Sequence, residues 1–482
     1  MPLILPGNVG SATAATSFNV ANSLRFNDGS SDYLSISNGT PTSLRIYTFS
    51  AWVKKTATGA LRTLYSNGTN GDNYMYIHFN NSTEQLEYVD VKSGEYQVNL
   101  KTTRVFRDPS AWYHIMIAVD TTQGTNTNRV KFYINGVQET SFVETTYPDQ
   151  NDDLILNGSN TNIGRYVIET DRFYDGYMSE VVFVDGTQQA NTDLGEFDDS
   201  GIWKPIDVSG LTFGDNGYYL EFKQAGTSQN SSGMGADTSG EDNHFAVSNL
   251  TAVDQSVDTC TNNFATLNPL STGNKQAQRH VALSEGNLFA VGNSSSNNGN
   301  AYTTMAVNTG KWYCEIKATD VRGTGYPYIG VCNETCHNQG GQAGLDSSSG
   351  VDGVAYSPDG RKNINGTSSS YGNTFTDNDI IGIALDLDNG AVYFSKNGTF
   401  EASGDPTSGA SKTNAVHTFT VGDYYFFAIA VFEAASDVSC NFGSPAFAIS
   451  SSNTDGSGFG NFEYAVPSGY FALCTKNLAE HG

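Results

Sequence analysis

The chain has 482 residues, enough for two or three globular domains, and 50 acidic against 25 basic side chains give a formal net charge of −25. An excess of acid on this scale repels nucleic acid and anionic membranes, so partners of those two classes are excluded. Charged residues make up only 16% of the chain, and turn- and strand-forming Gly, Asn, Ser, Thr and Tyr fill the deficit. These features predict an all-β fold.

The sequence shows neither a signal peptide at its start nor an apolar run long enough to span a membrane. Residues 1–20 are small and polar after a start flanked by Pro2 and Pro6. They predict an extended arm and not a signal peptide, because a basic start and a long apolar core are lacking. The longest apolar run, residues 424–432, is far shorter than the roughly 20 residues of a membrane-spanning helix. No membrane span is therefore expected.

Short strands separated by Gly, Asn and Asp turns fill residues 21–223. Val130, Phe132 and Ile134 share one face of such a strand, and the Asn135-Gly136 pair that follows is typical of a type I′ hairpin turn. A strand with one apolar face has to cover it, and a second sheet is the usual cover. This region therefore predicts a first β-sandwich.

A second series of strands follows a polar segment. Residues 224–278 are rich in Ser, Gly and Asn and lack periodicity, which predicts a linker. In residues 279–475, Trp312, Cys314 and Ile316 alternate with charged neighbours, and hairpin signals recur. Residues 476–482 are left as a C-terminal tail. The expected fold class is thus all-β, with two β-sandwiches joined by a linker.

The first series resembles the laminin-G-like, concanavalin A-like family. The segments that carry the resemblance, in family order, are 23–26, 32–34, 47–53, 112–115, 131–136, 162–164 and 175–181. It implies a jelly-roll sandwich, often calcium-dependent, that binds glycans or proteins.

The second series resembles the SPRY domain. The matching segments, again in family order, are 310–316, 328–331, 353–356, 379–386, 392–398, 441–443 and 467–470. The resemblance implies a second, independent concanavalin A-like sandwich whose loops at one end bind partners.

The tandem itself resembles tail-fibre-like virion proteins of marine bacteriophages, to which residues 1–9, 261–269 and 467–478 are similar. It implies a virion protein on the tail or capsid surface that binds a host glycan or protein during adsorption. Its N-terminal arm would dock to other virion proteins, and it would form a homo-oligomer, with a trimer expected. A structural decoration or connector without a receptor role is one alternative, and a polysaccharide depolymerase is another.

Calcium is the cofactor that the first resemblance implies. Asp28 and Asp32 lie beside the first strand and Asp175 lies on the last strands of the same domain. Related sandwiches bring such segments together at their rim. Carboxylates and loop carbonyls are hard oxygen ligands that suit calcium. The alternative is that these are ordinary Asp-Gly turns.

A glycan-binding face is expected on the strand around residue 76. Alternation puts Tyr74, Tyr76 and His78 on one face of the sheet, and Tyr88 and Tyr96 are expected to add to it. Aromatic rings stack on the C–H faces of sugars and carry polar groups. The alternative is that these rings form cross-strand pairs that stabilise the sheet.

Two loops of the SPRY-like domain are candidates for partner binding. They are punctuated by Gly and Pro and carry Arg and Tyr, the residue types that dominate binding hot spots. The candidate residues are Arg322, Tyr326, Tyr328, Tyr356 and Arg361. The alternative is that these loops only connect strands.

Cysteine and histidine chemistry is sparse. Cys332, Cys336 and His337 could ligate a metal, but no second Cys/His pair has matching spacing, so a short-loop disulfide or free thiols are the alternatives. No nucleophile elbow, zinc-protease motif or phosphate loop occurs. His114 lies in a strand, where it is expected to be packed and not to act as a base. The sequence therefore predicts a binding protein and not an enzyme.

Overall fold

A computed structural model describes residues 18–155, 158, 160–169, 171–270, 280–293, 298–321, 326–339, 344, 347–432 and 436–482. The chain divides into two compact units, the first Ala14–Thr261 and the second holding Asn262–Gly482. Among the helices of these described residues, none is long and apolar enough to cross a membrane.

The first unit is built from strands joined by short turns, with one short helix. Its strands are β1 (Ser23–Phe26), β2 (Tyr33–Ser37), β3 (Ile46–Lys55), β4 (Arg62–Asn70), β5 (Asn73–Phe79), β6 (Gln85–Lys92), β7 (Glu95–Val105), β8 (Trp112–Asp120), β9 (Val130–Ile134), β10 (Val137–Glu139), β11 (Phe142–Thr146), β12 (Asn160–Ile163), β13 (Gly176–Asp185), β14 (Glu196–Phe197), β15 (Trp203–Lys204), β16 (Tyr218–Leu220), β17 (Ala246–Ser248) and β18 (Gln255–Ser256), and its helix is α1 (Asn126–Arg129).

Sixteen of these strands form two eight-stranded antiparallel sheets, and β14 pairs with β15 in a separate two-stranded sheet. Sheet A has the order β10-β9-β8-β3-β13-β1-β18, with β16 paired to β13, and sheet B has the order β11-β7-β6-β5-β4-β12-β2-β17. The predicted hairpin at Asn135-Gly136 joins β9 to β10, and both residues have positive φ (48° and 74°). The predicted β-sandwich is confirmed.

The inner faces of sheets A and B form one apolar core. Alternate residues of the long strands enter it: Phe49 and Val53 from β3, Ile117 from β8, and Met75 and Ile77 from β5 are fully buried there. Each such side chain stabilises the fold by about 1.5–3 kcal/mol relative to an exposed one. The alternation leaves the opposite residues of each strand on the two outer faces.

The outer face of sheet A is covered by the chain itself. Residues 187–217 cross this face and pack onto apolar side chains of β8 and β13. The buried members of this second cluster are Met116, Ala118, Val182, Val184, Leu194, Val208, Phe213 and Tyr219. The large apolar residues on this face explain why it needs a cover.

The segment expected to begin the linker is part of the first unit. Within residues 224–261, β17 pairs with β2 at the edge of sheet B and β18 pairs with β1 at the edge of sheet A. Met234, Phe245 and Leu250 are buried in the core. Three apolar side chains in a mostly polar segment are enough to fix it to the sandwich, which a search for periodicity does not detect.

Two buried ion pairs hold the end of this segment. Lys54 Nζ lies 2.7 Å from Asp258 Oδ2, and Arg25 Nη2 lies 3.0 Å from Asp254 Oδ1. Trp112 Nε1 also donates to Asp258 Oδ1, at 3.2 Å. Buried charges are costly unless they are paired, so both pairs tie residues 254–258 to β1 and β3.

The second unit is built in the same way. Its strands are β19 (Val281–Ser284), β20 (Phe289–Gly292), β21 (Asn298–Tyr302), β22 (Lys311–Asp320), β23 (Tyr328–Asn333), β24 (Gly353–Tyr356), β25 (Arg361–Ile364), β26 (Thr367–Ser370), β27 (Ile380–Asp386), β28 (Ala391–Lys396), β29 (Thr399–Phe400), β30 (His417–Thr418), β31 (Tyr425–Phe432), β32 (Asp437–Asn441) and β33 (Phe471–Ala472), and its helices are α2 (Glu334–Gln339) and α3 (Thr475–His481).

Sheet C of this unit has the order β19-β20-β32-β22-β27-β28-β29, with β30 paired to β28 and β33 to β22, and sheet D has the order β21-β31-β23-β24-β25-β26. Their inner faces enclose a second core that includes Trp312, Ile383 and Phe427. The expected second concanavalin A-like sandwich is thus present.

Both ends of this unit extend beyond the expected boundaries. Ala265 and Leu267, from the expected linker, lie in the second core, and residues 271–279 lie outside the described residues. Leu478 of the expected C-terminal tail is buried in the same core, because the tail forms helix α3. At the other end of the chain, residues 1–17 of the expected arm lie outside the described residues.

Asp258→Asn is expected to lower the free energy of unfolding of the first unit by about 3–5 kcal/mol, because it leaves the buried Lys54 ammonium without a counter-ion. The matched control, Asp153→Asn, removes the partner of Arg45 in an exposed pair (2.6 Å) and should cost less than about 1 kcal/mol. Hydrogen exchange of peptides from residues 18–261 during urea unfolding of the full chain measures both values. Equal effects would contradict the anchoring role of the buried pair.

Candidate functional site

Strand β5 places a row of rings on the outer face of sheet B. Tyr74, Tyr76 and His78 lie on this face, as predicted, while their neighbours enter the core: Met75, Ile77 and Phe79. The rings of Tyr74 and Tyr76 are stacked 6.1 Å apart, and those of Tyr76 and His78 4.2 Å apart. Tyr74 is the accessible end of the row, because His78 is buried at the other end.

His78 supports this row and does not face solvent. Its Nε2 lies 2.9 Å from Glu87 Oε2 on the neighbouring strand, and Lys101 Nζ lies 3.4 Å from Glu87 Oε1. Burial lowers the pKa of His78, although the bond to Glu87 opposes that shift. A neutral His78 therefore donates to the Glu87 carboxylate, which fixes the ring beneath Tyr76.

Of the other two tyrosines expected on this face, Tyr96 lies on it and Tyr88 does not. Val91 of β6 pairs with Tyr74 on one side and with Tyr96 on the other, so the three residues share a face. The side chain of Tyr96 is 55% exposed. Tyr88 does not belong to this face: it lies opposite Ile77 and is fully buried in the core, and its hydroxyl lies 3.2 Å from that of Tyr47. Directly paired residues share a face, so the register of β5 and β6 directs Tyr88 inward.

A groove of about 620 Å³ lies beside the row on the first unit. Strands β2, β4 and β12 line it together with Arg165, Val167 and Ile168. Gln229 and Ala246, from the segment expected to be a linker, also contribute. Tyr166 connects the groove to the row: its ring meets those of Tyr74 and Tyr76 edge-on, at 5.9 and 5.7 Å. The volume is that of a typical small-ligand site.

Arg165 is the cation of this groove. Its guanidinium lies over the ring of Tyr33, with Cζ 4.0 Å from the ring centroid. Within the described part of the chain its Nε is buried and has no hydrogen-bond acceptor. A guanidinium that stacks on a ring keeps its N–H groups free at its edge, where they can bind a planar anion or an oxygen-rich ligand.

Asn162 supplies an acceptor in the same groove. Its side chain is only 3% exposed, and its Oδ1 has no hydrogen-bond donor among the described residues. An unsatisfied buried polar group is costly, so a ligand hydroxyl that donates to Oδ1 would be favoured. The other polar groups that line the groove include those of Ser35, Ser37, Asn70, Asn160 and Gln229.

Sequence reasoning missed Arg165, Asn162 and Tyr33 as site residues. Tyr33 and Asn162 lie in segments that carry the family resemblance, and Arg165 follows directly after Ile163 and Gly164. An arginine directly after a predicted strand was the available signal. The groove forms only because β2, β4 and β12 are neighbours in sheet B, and local sequence patterns do not give the order of strands in a sheet.

The three aspartates proposed for calcium are already engaged. Arg62 Nη1 lies 2.5 Å from Asp28 Oδ2, and Arg62 Nη2 lies 3.8 Å from Asp175 Oδ2. Thr56 donates to Asp175 Oδ1, and the backbone N–H of Asn27 donates to Asp32 Oδ2. These residues do not fit a calcium ion, because a guanidinium takes the place of the cation between two of the carboxylates. Among the described residues there is no group of three metal-ligating side chains.

Three of the five residues expected to bind a partner in the second unit lie near one another: Tyr326, Tyr328 and Arg361. The ring of Tyr326 meets that of Tyr328 edge-on, with centroids 4.7 Å apart, and stacks on that of Phe432 at 5.2 Å. These rings form a half-buried aromatic cluster where β23 begins and β31 ends. Arg361 is exposed, and its Nε donates to Ser368 Oγ at 2.8 Å across the hairpin of β25 and β26.

The turn that carries Asp359 and Arg361 lies close to the Tyr328 hydroxyl. Burial raises the pKa of Tyr328, Asp359 raises it further, and Arg361 lowers it, so the turn that holds these two charges lies near Tyr328. Tyr356 is not part of this surface: it is buried, and its hydroxyl donates to the carbonyl of Asn373. Arg322 lies outside the described residues.

The cysteines of the second unit are free thiols. Cys332 of β23 and Cys336 of α2 are both fully buried, and neither is in a disulfide. His337 stacks on Phe426 at 4.5 Å, so its ring packs against an apolar face. These contacts account for the three residues as packing.

His114 makes a serine contact that looks catalytic but is structural. Trp203 Nε1 donates to His114 Nδ1 at 3.1 Å, and His114 Nε2 lies 2.7 Å from Ser50 Oγ. Burial lowers the pKa of His114 to about 3, so the ring is neutral. Because Nδ1 accepts a hydrogen bond, the proton sits on Nε2, which donates to Ser50 and cannot take its proton.

Two family models match the chain, one in each unit. Residues 28–191 match Laminin_G_3, the concanavalin A-like lectin/glucanases superfamily, and residues 311–445 match the SPRY domain. The chain carries a concanavalin A-like lectin/glucanase domain and a SPRY domain. Both family resemblances drawn from sequence motifs are thereby confirmed, and both domains are of a kind that suggests binding. The groove and the aromatic row lie in the concanavalin A-like domain.

Individual proteins match shorter parts of the chain. The ATP-dependent RNA helicase DDX1 of Xenopus laevis is 35% identical over 96 residues, which is 20% of this chain and 12% of the helicase. The match covers a small part of that protein, so its activity does not transfer.

Solved structures match at low similarity. They include a SAP-like pentraxin from Limulus polyphemus (15% identity, TM-score 0.28, 36% of this chain and 81% of that chain). The SPRY domain of human HERC1 also matches (15% identity, TM-score 0.26, 33% of this chain and 91% of that chain). Nothing about ligands transfers at these values.

Adding calcium or a chelator is expected to leave the Tm of the first unit unchanged, because Arg62 occupies the space between Asp28 and Asp175. A calcium site at one hundred times its Kd would stabilise the unit by about 2.7 kcal/mol, or roughly 5–10 °C. Differential scanning calorimetry of the full chain with calcium or EDTA measures this. A rise of that size with calcium, absent in Asp28→Asn, would contradict the assignment.

Proposed function

We propose that the concanavalin A-like domain binds a saccharide on the outer face of sheet B. The observation that carries the proposal is the groove of about 620 Å³, lined by amides and hydroxyls. The accessible ring of Tyr74 lies on β5, next to the lining strand β4, and the exposed ring of Tyr96 lies further along the same face, on β7. Sugar rings have apolar C–H faces and polar edges. A surface that offers both aromatic faces and amide groups complements them.

Binding proceeds without catalysis in this proposal. Glycoside hydrolysis generally uses two carboxylates about 5–10 Å apart across the bound sugar. The described residues that line the groove include no Asp or Glu. The Ser50–His114 contact has the wrong tautomer for a nucleophile and base. These two observations favour a non-enzymatic binding protein.

The biological setting we infer is a bacteriophage virion, on its tail or capsid surface. The support is the sequence resemblance of the tandem and of residues 1–9, 261–269 and 467–478 to tail-fibre-like virion proteins. In this setting the protein adheres to host glycan during adsorption and docks to other virion proteins through its N-terminal arm. A homo-oligomer, with three copies expected, would add avidity to a weak single site.

The SPRY domain would supply a second contact with a protein partner. Tyr326, Tyr328 and Phe432 form an aromatic cluster, and Arg361 lies exposed near it. Tyrosine and arginine next to each other at a loop end are typical of binding hot spots. This surface belongs to the second unit and is independent of the groove.

Tyr74→Ala and Tyr96→Ala are each expected to weaken saccharide binding at least about fivefold, or about 1 kcal/mol, because each removes an accessible ring from the face of sheet B that carries the groove. Phe197→Ala is the matched control, since Phe197 is also an exposed aromatic (50%) but lies on β14, outside sheet B. A glycan array identifies ligands for the full chain, and titration calorimetry then compares the variants. Equal losses in all three variants, or no ligand for the wild-type protein, would refute the site.

Purified wild-type protein is expected to slow the adsorption of the particle that carries it, because the free protein occupies the same host glycans. Tyr74→Ala protein should compete less well at equal concentration. Adsorption is counted from the particles that remain free in the supernatant. Undiminished adsorption in the presence of saturating wild-type protein would contradict the receptor-binding role.

A further inference from the structure

We infer that the saccharide of the concanavalin A-like domain is acidic and that Arg165 binds its negative group. This inference rests on the proposed function and specifies its ligand. It follows from the charges that line the groove and from the freedom of the Arg165 guanidinium.

Most arginines of the first unit are already engaged. Five form ion pairs with carboxylates: Arg25, Arg45, Arg62, Arg104 and Arg172. Arg129 donates to the backbone carbonyls of Gln123 and Pro148, and Arg107 is exposed. In the described residues Arg165 forms no such pair, although the chain has twice as many acidic as basic side chains. An arginine left unpaired in so acidic a protein is available for an anion from outside.

The charge of the groove favours the same ligand. Arg165 is the charged side chain among the described lining residues, and carboxylates are missing from that lining. A negative ligand group would therefore meet one positive charge at short range and no negative one. Since the groove is partly shielded from water, this attraction is stronger than it would be on an open surface.

The geometry of Arg165 suits a planar or tetrahedral anion. The guanidinium is held over Tyr33, with Arg165 Cζ 4.0 Å from the ring centroid, and this contact fixes the edge that carries the N–H donors. Two parallel N–H groups on that edge match the two oxygens of a carboxylate, and they also match a sulfate. A buried Asn162 Oδ1 in the same groove can accept from a sugar hydroxyl beside that anion.

The test compares two charged saccharides with their uncharged counterparts. An oligogalacturonate is set against its methyl ester, and dextran sulfate against dextran, by titration calorimetry with the full chain. Because the ester keeps the sugar and removes the charge, the ratio of the two affinities reports the anion alone. We expect at least one charged ligand to bind about tenfold more tightly than its counterpart, with the ratio falling as salt is added.

Three variants connect that ratio to Arg165. Arg165→Gln should abolish the preference, and Arg165→Lys should keep part of it, because an ammonium retains the charge but not the two parallel N–H groups of a guanidinium. Arg104→Gln is the matched control, since Arg104 lies on β7 of the same sheet but outside the groove. Thermal unfolding of each variant verifies that the first unit is folded.

The outcomes separate the inference from the proposed function. Equal binding of charged and uncharged ligands, still sensitive to Tyr74→Ala, would overturn the acidic ligand and retain the saccharide site. A charge preference that survives Arg165→Gln would also overturn the inference. Binding of none of the four ligands, together with an empty glycan array, would overturn both proposals.

Discussion

An antiparallel sheet shows every second side chain to each of its two faces, and the first unit covers only some of these faces. Sheets A and B bury their inner faces against each other, and residues 187–217 cover the apolar outer face of sheet A. The outer face of sheet B instead carries the aromatic row of β5 and a groove lined by amides, hydroxyls and Arg165. This division of the four faces determines where a ligand can bind, because a face that the chain covers is not accessible.

The exposed face is built to stay rigid. The stack of Tyr74, Tyr76 and His78 is held by Glu87 from the next strand and by the edge of Tyr166. Arg165 is held by Tyr33 beneath it. Groups fixed before the ligand arrives lose little conformational freedom on binding, which favours affinity in a site of modest size. The interactions that stabilise this face thus also prepare it for a ligand.

Much of this could be predicted from the sequence, and the exceptions have a common cause. The faces of β5 follow from alternation, which is local, and so do the strands and several turns. Tyr88 and Tyr356 were assigned to surfaces and lie in the cores, since their faces depend on which strands pair and in what register. Arg165 lies outside a strand, so periodicity says nothing of it. Residues 224–261 look like a linker because their few buried apolar residues have no regular spacing.

The most direct measurement is a crystal structure of the full chain with a saccharide that it binds in solution. The account predicts the sugar in the groove of sheet B, with an anionic group at the Arg165 guanidinium and a ring face near Tyr74. A saccharide bound elsewhere on the protein, with the groove empty at saturating ligand, would contradict the central claim that this uncovered face is the binding site.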